Sequence, residues 1–376
     1  MNALNLAENI MRLRHERKIT QEELADFVGV TKASVSKWES GKNTPDILLL
    51  PLLASFFDVT VDELMGYEPQ LSKEQIRRIY GELCLAFVNL PFHEALERAR
   101  TYARRYYSCY PFLLQLGILY LNHSMLTERE EERQEILKEA DTFCDHILDR
   151  CKDVGVRDDA VSLKAMLHLQ LGKTKDAIEL LEDLTEPSRI SEQNDMILIQ
   201  AYQQAGDVER AKNHTQIRIY LNLLNLIGSE TLFLALYEDF LDRCEETIER
   251  VEGIMELYHL DELHPNLAAQ FYYQAAVVYG KNGRKERALI ELENFENCVI
   301  GLLESPKLLL SGDTYFDRLE EWIERLPLGD MAPRDKSFAK QSALQALSHP
   351  AFLDLKENEE FQRIYSHILE GGKTNA

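Results

Sequence analysis

The sequence lacks the short motifs that mark most enzymes and metal sites. Its six cysteines form no CxxC pair, so it predicts neither a disulfide framework nor a zinc site and fits a reducing cytosol. It contains no GxSxG, P-loop, HExxH or Rossmann fingerprint. We therefore expect no enzyme: no catalytic residue, no metal and no cofactor.

Long hydrophobic runs are also missing. The N-terminal stretch MNALNLAENIMRLR has no signal-peptide core, and the longest apolar run, residues 47–57, is too short to cross a bilayer and contains Pro51. We expect a cytoplasmic protein without a membrane partner.

Alternating strand patterns are absent as well. Apolar residues instead recur at helical spacing, as at Leu6, Ile10 and Leu13, and glycines and prolines separate segments that suit one helix or a helix pair. The predicted fold class is all-α.

Positive charge is scarce in this chain of 376 residues with a formal net charge of −22. Residues 1–66 hold 7 Lys/Arg and 10 Asp/Glu, whereas the remainder holds 35 and 54, a net charge of −19. An acidic chain binds nucleic acid only through a local basic patch. The cations of residues 1–66 lie in three short stretches: Arg12, Arg14, Arg17, Lys18, Lys32, Lys37 and Lys42.

Three segments in the second half align as internal repeats: 165–184, 197–216 and 275–294. Each contains a helix, a glycine, four residues and an alanine that opens a second helix. The interval from Gly172 to Gly206 matches the tetratricopeptide (TPR) period, whereas Gly283 follows Gly206 after more than two such periods. Glycine lets the chain reverse and alanine lets two helices approach closely, so we expect TPR-like hairpins.

The best domain boundary is the stretch GYEPQLSKEQ, residues 66–75. Gly66 can end a helix and Pro69 blocks its continuation. We predict a DNA-binding domain over 1–67, a linker over 68–71 and a TPR-like helical repeat domain over 72–376.

Residues 5–66 read as five short helices, with a capping box at Thr20 and Glu23 and a turn at Gly29 before Thr31. This span resembles the DNA-binding domain of the phage-repressor, or XRE, family. The matching residues are Thr20–Ala25, Gly29–Thr31, Ser34–Ser36, Trp38–Lys42, Pro45 and Val61–Leu64. The resemblance implies a five-helix repressor-type helix-turn-helix domain followed by a TPR-like α-solenoid.

The stretch TKASVSKWESGK, residues 31–42, has an unusually slim outer face. A major groove admits a helix whose exposed face is small, and Val35 and Trp38 would anchor the opposite face. The resemblance places Lys32, Ala33 and Lys37 at base-facing positions, and Gln21, Thr31 and Lys42 at phosphate-contacting ones. Ser34 belongs to the same surface, whereas Trp38 and Glu39 are expected to be structural.

The whole architecture resembles the peptide-pheromone-sensing regulators of Gram-positive bacteria, in which a solenoid dimerises and binds a short peptide in its concave groove. That resemblance implies double-stranded DNA with a near-palindromic operator, a homodimer and a short peptide as partners. TPR registers then place Gln193, Gln200, Gln203, Gln204, Gln270 and Tyr273 on the concave face, where amides can bond a peptide backbone.

Three alternatives stay open at this point. The solenoid of a constitutive repressor would serve only for dimerisation or protein partners. A scaffold or toxin–antitoxin protein would use the helix-turn-helix in a subsidiary role. The glutamines themselves also fit an ordinary solvated helix surface.

Overall fold

A computed structural model describes residues 5–67, 70–127, 129–182, 194–305, 310–331 and 336–371. The described residues form α-helices joined by short turns and contain no β-strand. They divide into two compact units, one of residues 1–72 with 101–113 and one of residues 73–100 with 114–376. The all-α fold class is thus confirmed, whereas the boundary at residues 68–71 stays a prediction.

The N-terminal part of the chain forms five short α-helices, as predicted. We call residues 5–67 the head. A 3₁₀ turn, Ile47–Leu49, precedes the fourth helix. The bounds are α1 Leu6–Glu16, α2 Gln21–Val28, α3 Lys32–Glu39, α4 Leu50–Phe57 and α5 Val61–Met65.

Threonine hydroxyls start three of these helices. Thr20 and Thr60 form complete capping boxes with Glu23 and Glu63, and Thr31 accepts a hydrogen bond from the backbone of Ser34. Each cap satisfies a backbone N–H that has no partner within the helix. The helices then bury one small core, whose fully enclosed side chains include Ile10, Leu24, Val35, Leu53 and Leu64.

The rest of the chain continues as helices of varied length. Their bounds are α6 Lys73–Asn89, α7 Phe92–Arg105, α8 Tyr110–His123, α9 Glu130–Arg150, α10 Val154–Gln170, α11 Thr174–Leu181, α12 Asn194–Gln204, α13 Val208–Leu236, α14 Leu241–Leu257, α15 Leu260–Leu263, α16 Pro265–Lys281, α17 Lys285–Glu304, α18 Glu320–Arg325, α19 Lys336–Ala346 and α20 Glu359–Glu370. We call the second compact unit, residues 73–100 and 114–371, the body.

The three predicted repeats are helical hairpins: α10–α11, α12–α13 and α16–α17. Gly172, Gly206 and Gly283 lie in the turns with positive φ of 73°, 80° and 68°, a conformation in which a side chain would be strained. The three repeat alanines, Ala177, Ala211 and Ala288, are buried. The spacing therefore predicted both the reversals and the close helix contacts of a solenoid-like body.

One large core of the body lies between residues 220 and 368. It is built from α13, α14, α16, α17 and the C-terminal helices, with Tyr220, Phe271 and Phe352 fully enclosed. At the C-terminal end, Glu296 of α17 is 2% exposed and accepts two hydrogen bonds from Arg363, at 3.1 and 3.0 Å. The His367 ring lies 2.7 Å from the same carboxylate, so α20 docks on α17 through a buried charge as well as apolar contacts.

Helix α13 is longer than the hairpin spacing indicated. Its predicted segment ended at residue 216, but the helix runs for 29 residues to Leu236. Among the described helices it alone is long and apolar enough to cross a membrane. Only 22% of its apolar 18-residue stretch is buried. Sequence inspection missed this stretch because its polar residues, such as Asn222 and Asn225, interrupt the apolar run.

Candidate nucleic-acid interface and body cavity

Helices α2 and α3 form the helix-turn-helix of the head. Gly29 ends α2 with a φ of 74°, a left-handed conformation that strains any residue with a side chain. The backbone N–H of Val30 then bonds Ala25 O at 2.9 Å, which closes the reversal before Thr31 starts α3. The turn sets α3 against the core and leaves one of its faces in solvent.

The exposed face of α3 consists of four residues: Lys32, Ala33, Ser36 and Lys37. The opposite face carries Val35 and Trp38, which are 0% and 4% exposed. A face of two lysines, one methyl group and one hydroxyl is narrow enough for the backbone of α3 to approach a groove closely. Ser36 was not among the predicted contact residues, although it lies between Lys32 and Lys37 on this face.

Thr31 and Ser34 bond to each other at the start of α3. Their hydroxyl oxygens are 2.9 Å apart, and the backbone N–H of Ser34 donates to Thr31 Oγ1 at 3.2 Å. Ser34 is half-buried while Thr31 is exposed. Thr31 is therefore the outer member of this pair and Ser34 chiefly supports it.

Lys42 lies just beyond the end of α3. Gly41 adopts a φ of 68°, and the carbonyl of Lys37 accepts hydrogen bonds from the backbones of Lys42 and Asn43 at 3.0 and 3.2 Å. This cap fixes the backbone of the loop and leaves the Lys42 side chain exposed. The loop thus adds a cation next to the exposed face of α3.

A buried ion pair ties the first three helices together. Arg14 of α1 donates to both oxygens of Glu39 on α3, at 2.6 and 3.1 Å, and Gln21 of α2 donates to Glu39 Oε2 at 2.7 Å. The side chains of Arg14 and Glu39 are 9% and 5% exposed. Burial favours the neutral carboxyl, yet the hydrogen bonds from Arg14 and Gln21 prevail and hold the pKa of Glu39 below its usual value.

This ion pair changes the roles of two residues singled out from sequence. Glu39 is structural, as its position in the motif indicated, but Arg14 is not available as a basic contact to DNA. Gln21 uses one amide N–H to bond Glu39, so its predicted phosphate contact has to come from the rest of the amide. Sequence reasoning missed the pair because its partners lie on different helices, and charge patterns report only neighbours on one helix.

Acidic residues lie close to the exposed lysines. Glu22 Oε2 is 3.5 Å from Lys32 Nζ, and both side chains are largely exposed. Glu22 and Glu23 occupy the first turn of α2, whereas the first turn of α3 has no acidic residue. The helix dipole therefore leaves the N-terminus of α3 with an uncompensated partial positive charge, whereas Glu22 and Glu23 compensate that of α2.

The residues predicted to bind a peptide fall into two groups in the structure. Gln200, Gln203 and Gln204 are exposed on α12, and Gln193 lies outside the described residues. Gln270 and Tyr273 of α16 instead line a cavity of about 1390 Å³ within the body. The predicted row of glutamines is thus divided between one helix surface and one cavity.

The cavity has mainly apolar walls with acidic groups. Its described lining residues include four carboxylates, Asp159, Asp261, Glu262 and Asp330, and no lysine or arginine. The pKa of Tyr272, in the cavity wall, is raised chiefly by burial. The electrostatic effects of Cys298 and Asp261 raise it further. Gln115 also lines the cavity, and this amide side chain is only 5% exposed.

Comparison with known sequences matches short parts of the chain. Residues 10–64 match the family model described as helix-turn-helix. The HTH-type transcriptional activator BcrR of Enterococcus faecalis is 32% identical over 99 residues, which are 23% of this chain and 48% of that protein. The HTH-type transcriptional regulator AnsR of Bacillus subtilis is 35% identical over 63 residues, 17% of this chain and 54% of that protein. The chain spans about half the length of these curated relatives.

Among solved structures, the apo form of the competence regulator ComR from Streptococcus vestibularis aligns over 80% of this chain and 93% of that one, with 15% identity and a TM-score of 0.26. The family match, the capped five-helix head and the slim basic face of α3 agree on one assignment. Residues 10–64 are a helix-turn-helix domain of the XRE, or phage-repressor, type.

Proposed function

We propose that this protein is a DNA-binding transcription regulator that reads the major groove with α3. The observation that carries the proposal is the exposed face of Lys32, Ala33, Ser36 and Lys37, set on a helix whose other side is anchored by Trp38. In this proposal Lys32, Ala33 and Lys37 face base edges, while Thr31, Gln21 and Lys42 contact phosphates, as the family resemblance implies. Ser34 supports Thr31.

The protein acts, in this proposal, as a homodimer on a near-palindromic operator. With Arg14 paired internally, each head offers few cations, and affinity for DNA rests largely on phosphate neutralisation. Two heads on half-sites one helical turn apart, about 34 Å, double the contacts and add specificity. The net charge of −19 on residues 67–376 favours an arrangement in which most of that acid faces away from the DNA.

Selection of bound fragments from sheared genomic DNA by the full-length protein tests the DNA-binding proposal. We expect enrichment of a short palindrome, and loss of enrichment in the Lys32→Ala/Lys37→Ala variant. Lys175→Ala, which removes an exposed lysine of α11, is the control and should enrich the same fragments. Equal enrichment by the double variant would contradict the proposed role of α3.

We also propose that the body binds a short peptide in its cavity. The cavity volume, the apolar wall and the buried amide of Gln115 support a ligand with a polar backbone and apolar side chains. The four carboxylates of the wall favour a ligand with a cationic group. Gln270 and Tyr273 contribute to this site, whereas Gln200, Gln203 and Gln204 would belong to a different surface on α12.

The peptide proposal has a direct test. Mass spectrometry of the denatured protein, purified from its native host, should reveal a co-purified peptide. Calorimetry with that peptide should show weaker binding to Gln270→Ala and unchanged binding to Gln200→Ala/Gln204→Ala. The reverse result would move the site to α12. If the host yields no peptide, the favoured alternative is a constitutive repressor whose body serves only for dimerisation or for protein partners.

The remaining assignments belong to the same proposal. The protein is not an enzyme, uses no cofactor and works in the cytoplasm. A protein-interaction scaffold with a subsidiary DNA-binding head would instead show partner proteins in a pull-down and no enriched DNA sequence, so the fragment selection separates these two classes.

A further inference from the structure

Helix α13 leaves an apolar face uncovered along most of its length. Residues Ile219, Asn222, Leu226, Ser229, Phe233 and Leu236 follow one another at alternating steps of three and four; we call them the α13 face. All are exposed or half-buried, and Leu226 and Leu236 are 42% and 80% exposed. Leu232, at 66%, lies beside them. Isolated surface leucines are ordinary, but large apolar side chains that recur along one exposed helix face mark an interaction site.

The opposite side of α13 belongs to the body core. Tyr220, Leu223, Ile227 and Leu234 are buried there with residues of α14 and α16. Moving α13 into a bilayer would expose that core, so the length and apolar character of the helix do not make it a membrane span. The uncovered face needs a partner that binds it while α13 stays packed.

The charge distribution identifies the kind of partner. Between Ile219 and Leu236 the only charged residue is Glu230, although residues 67–376 carry a net charge of −19. Two such acidic chains repel each other over most of their surface. The α13 face is a place where two copies can touch without bringing carboxylates together.

Its spacing also suits a second copy. Steps of three and four are the heptad pattern of helices that pack side by side, with Ile219, Leu226 and Phe233 in one register position and Asn222, Ser229 and Leu236 in the other. Asn222 and Ser229 are the two polar members of the face, and a buried asparagine in a seam of this kind fixes the register of the two helices. A two-fold axis brings the same face of each copy together, so the surface is complementary to itself.

We propose that the α13 face is a self-association surface that packs against the α13 face of a second copy. The inference rests on the proposed homodimer and assigns the residues that hold it. The apolar side chains Leu226 and Leu236 become buried, and Ser229, near the middle of the stripe, lies close to its counterpart in the other copy.

Sedimentation velocity of the full-length protein tests the interface. We expect wild-type dimer and, for Leu226→Glu/Leu236→Glu, a dimer dissociation constant raised on the order of 100-fold, because four carboxylates would meet in an apolar seam. The control is Leu85→Glu, which changes a 60% exposed leucine in the C-terminal half of α6 and should remain dimeric. Circular dichroism and thermal unfolding establish that each variant is folded.

A cross-link provides a readout that misfolding cannot imitate. Ser229→Cys treated with a short bismaleimide should yield a covalent dimer through thioether bonds, whereas wild type, with its cysteines buried or half-buried, should not. A dimeric double variant together with no Ser229→Cys cross-link places the interface elsewhere and leaves the proposed homodimer standing. A monomeric wild type overturns both, and flotation of that monomer with lipid vesicles would assign the α13 face to a membrane surface instead.

Discussion

The head and the body are both made of helices, but the residues that determine their structures are distributed differently along the sequence. In the head, three threonine caps, a left-handed Gly29 and two anchors on α3 all fall within the single span 20–63, and each acts on its near neighbours. In the body, hairpins repeat a generic glycine and alanine spacing, while the features that distinguish it arise between distant helices. A short motif therefore specifies the surface of the head, whereas packing specifies that of the body.

The sharpest test of this comparison is the buried ion pair of the head, which joins α1 to α3. Glu39→Ala leaves Arg14 buried without its partner, so we expect a loss of roughly 3–5 kcal/mol in the free energy of unfolding of the head. Trp38 and Trp322 are the two tryptophans of the chain. In a Trp322→Phe background, fluorescence therefore follows the head alone during urea unfolding.

The control is Glu22→Ala, which breaks the exposed pair with Lys32. It should lower the free energy of unfolding by less than about 1 kcal/mol. Equal losses in the two variants would contradict the structural role of Glu39.

The same pair predicts a pH dependence. The folded-state pKa of Glu39 lies below its ordinary value, so its contribution to stability is complete above the unfolded-state pKa of about 4.3 and is lost as the pH falls through the folded-state value. Between about pH 6 and pH 3 the wild-type head should lose more stability than the Glu39→Gln head. A parallel decline of both would show that Glu39 is not among the groups responsible.

The body has a comparable buried charge at Glu296, and removing its partner is the next largest effect. Arg363→Ala leaves this 2% exposed carboxylate with the ring of His367. We expect α20 to lose roughly 3 kcal/mol of protection, near the lower end for a broken buried pair because Arg363 itself is half exposed. Hydrogen exchange of residues 359–370 measures the loss. Arg250→Ala, which breaks an exposed pair on α14, should leave that exchange unchanged.

These two charge pairs show which parts of the structure the sequence does not reveal. The sequence predicted turns at Gly172, Gly206 and Gly283 because glycine adopts the left-handed conformation that such a turn requires. It predicted α3 because the cap, the buried residues and the preceding turn of that helix are contiguous in the sequence. Arg14–Glu39 and Glu296–Arg363 join residues on helices that are far apart along the chain. The spacing of residues along one helix therefore does not predict which distant residue becomes the partner.

The candidate sites divide in the same way. The exposed face of α3 follows from helical periodicity, so Lys32, Ala33 and Lys37 were placed correctly in solvent. The cavity depends on how α16 faces segments that are distant in the sequence, including Gln115 and Asp159. Periodicity therefore put Gln200 and Gln270 in one row, whereas only Gln270 reaches the cavity.

Within the head, a smaller effect separates base contacts from phosphate contacts. Lys37→Ala should lower operator affinity by roughly 1–3 kcal/mol and relax specificity at one base pair, because a lysine at a base edge discriminates sequence. Lys42→Ala should weaken binding to all DNA about equally and lower the slope of log affinity against log salt by about 1. Gel shifts with the operator and its single-base variants measure both. The same loss of specificity in both variants would contradict the division of roles.

The smallest expected effect concerns the acidic residue beside the exposed face of α3. Glu22 lies 3.5 Å from Lys32 in solvent, so it lowers the positive potential near the proposed phosphate contacts without holding the fold. Glu22→Gln should raise DNA affinity about two- to threefold at low salt, equal to a few tenths of a kcal/mol, and the gain should vanish as salt screens the charge. Glu8→Gln, which removes another exposed carboxylate of the head at the start of α1, is the matched control and should change affinity less. A titration at two salt concentrations decides the matter: an equal gain from both variants would mean that the net charge of the head, and not the position of Glu22 beside α3, sets its affinity for DNA.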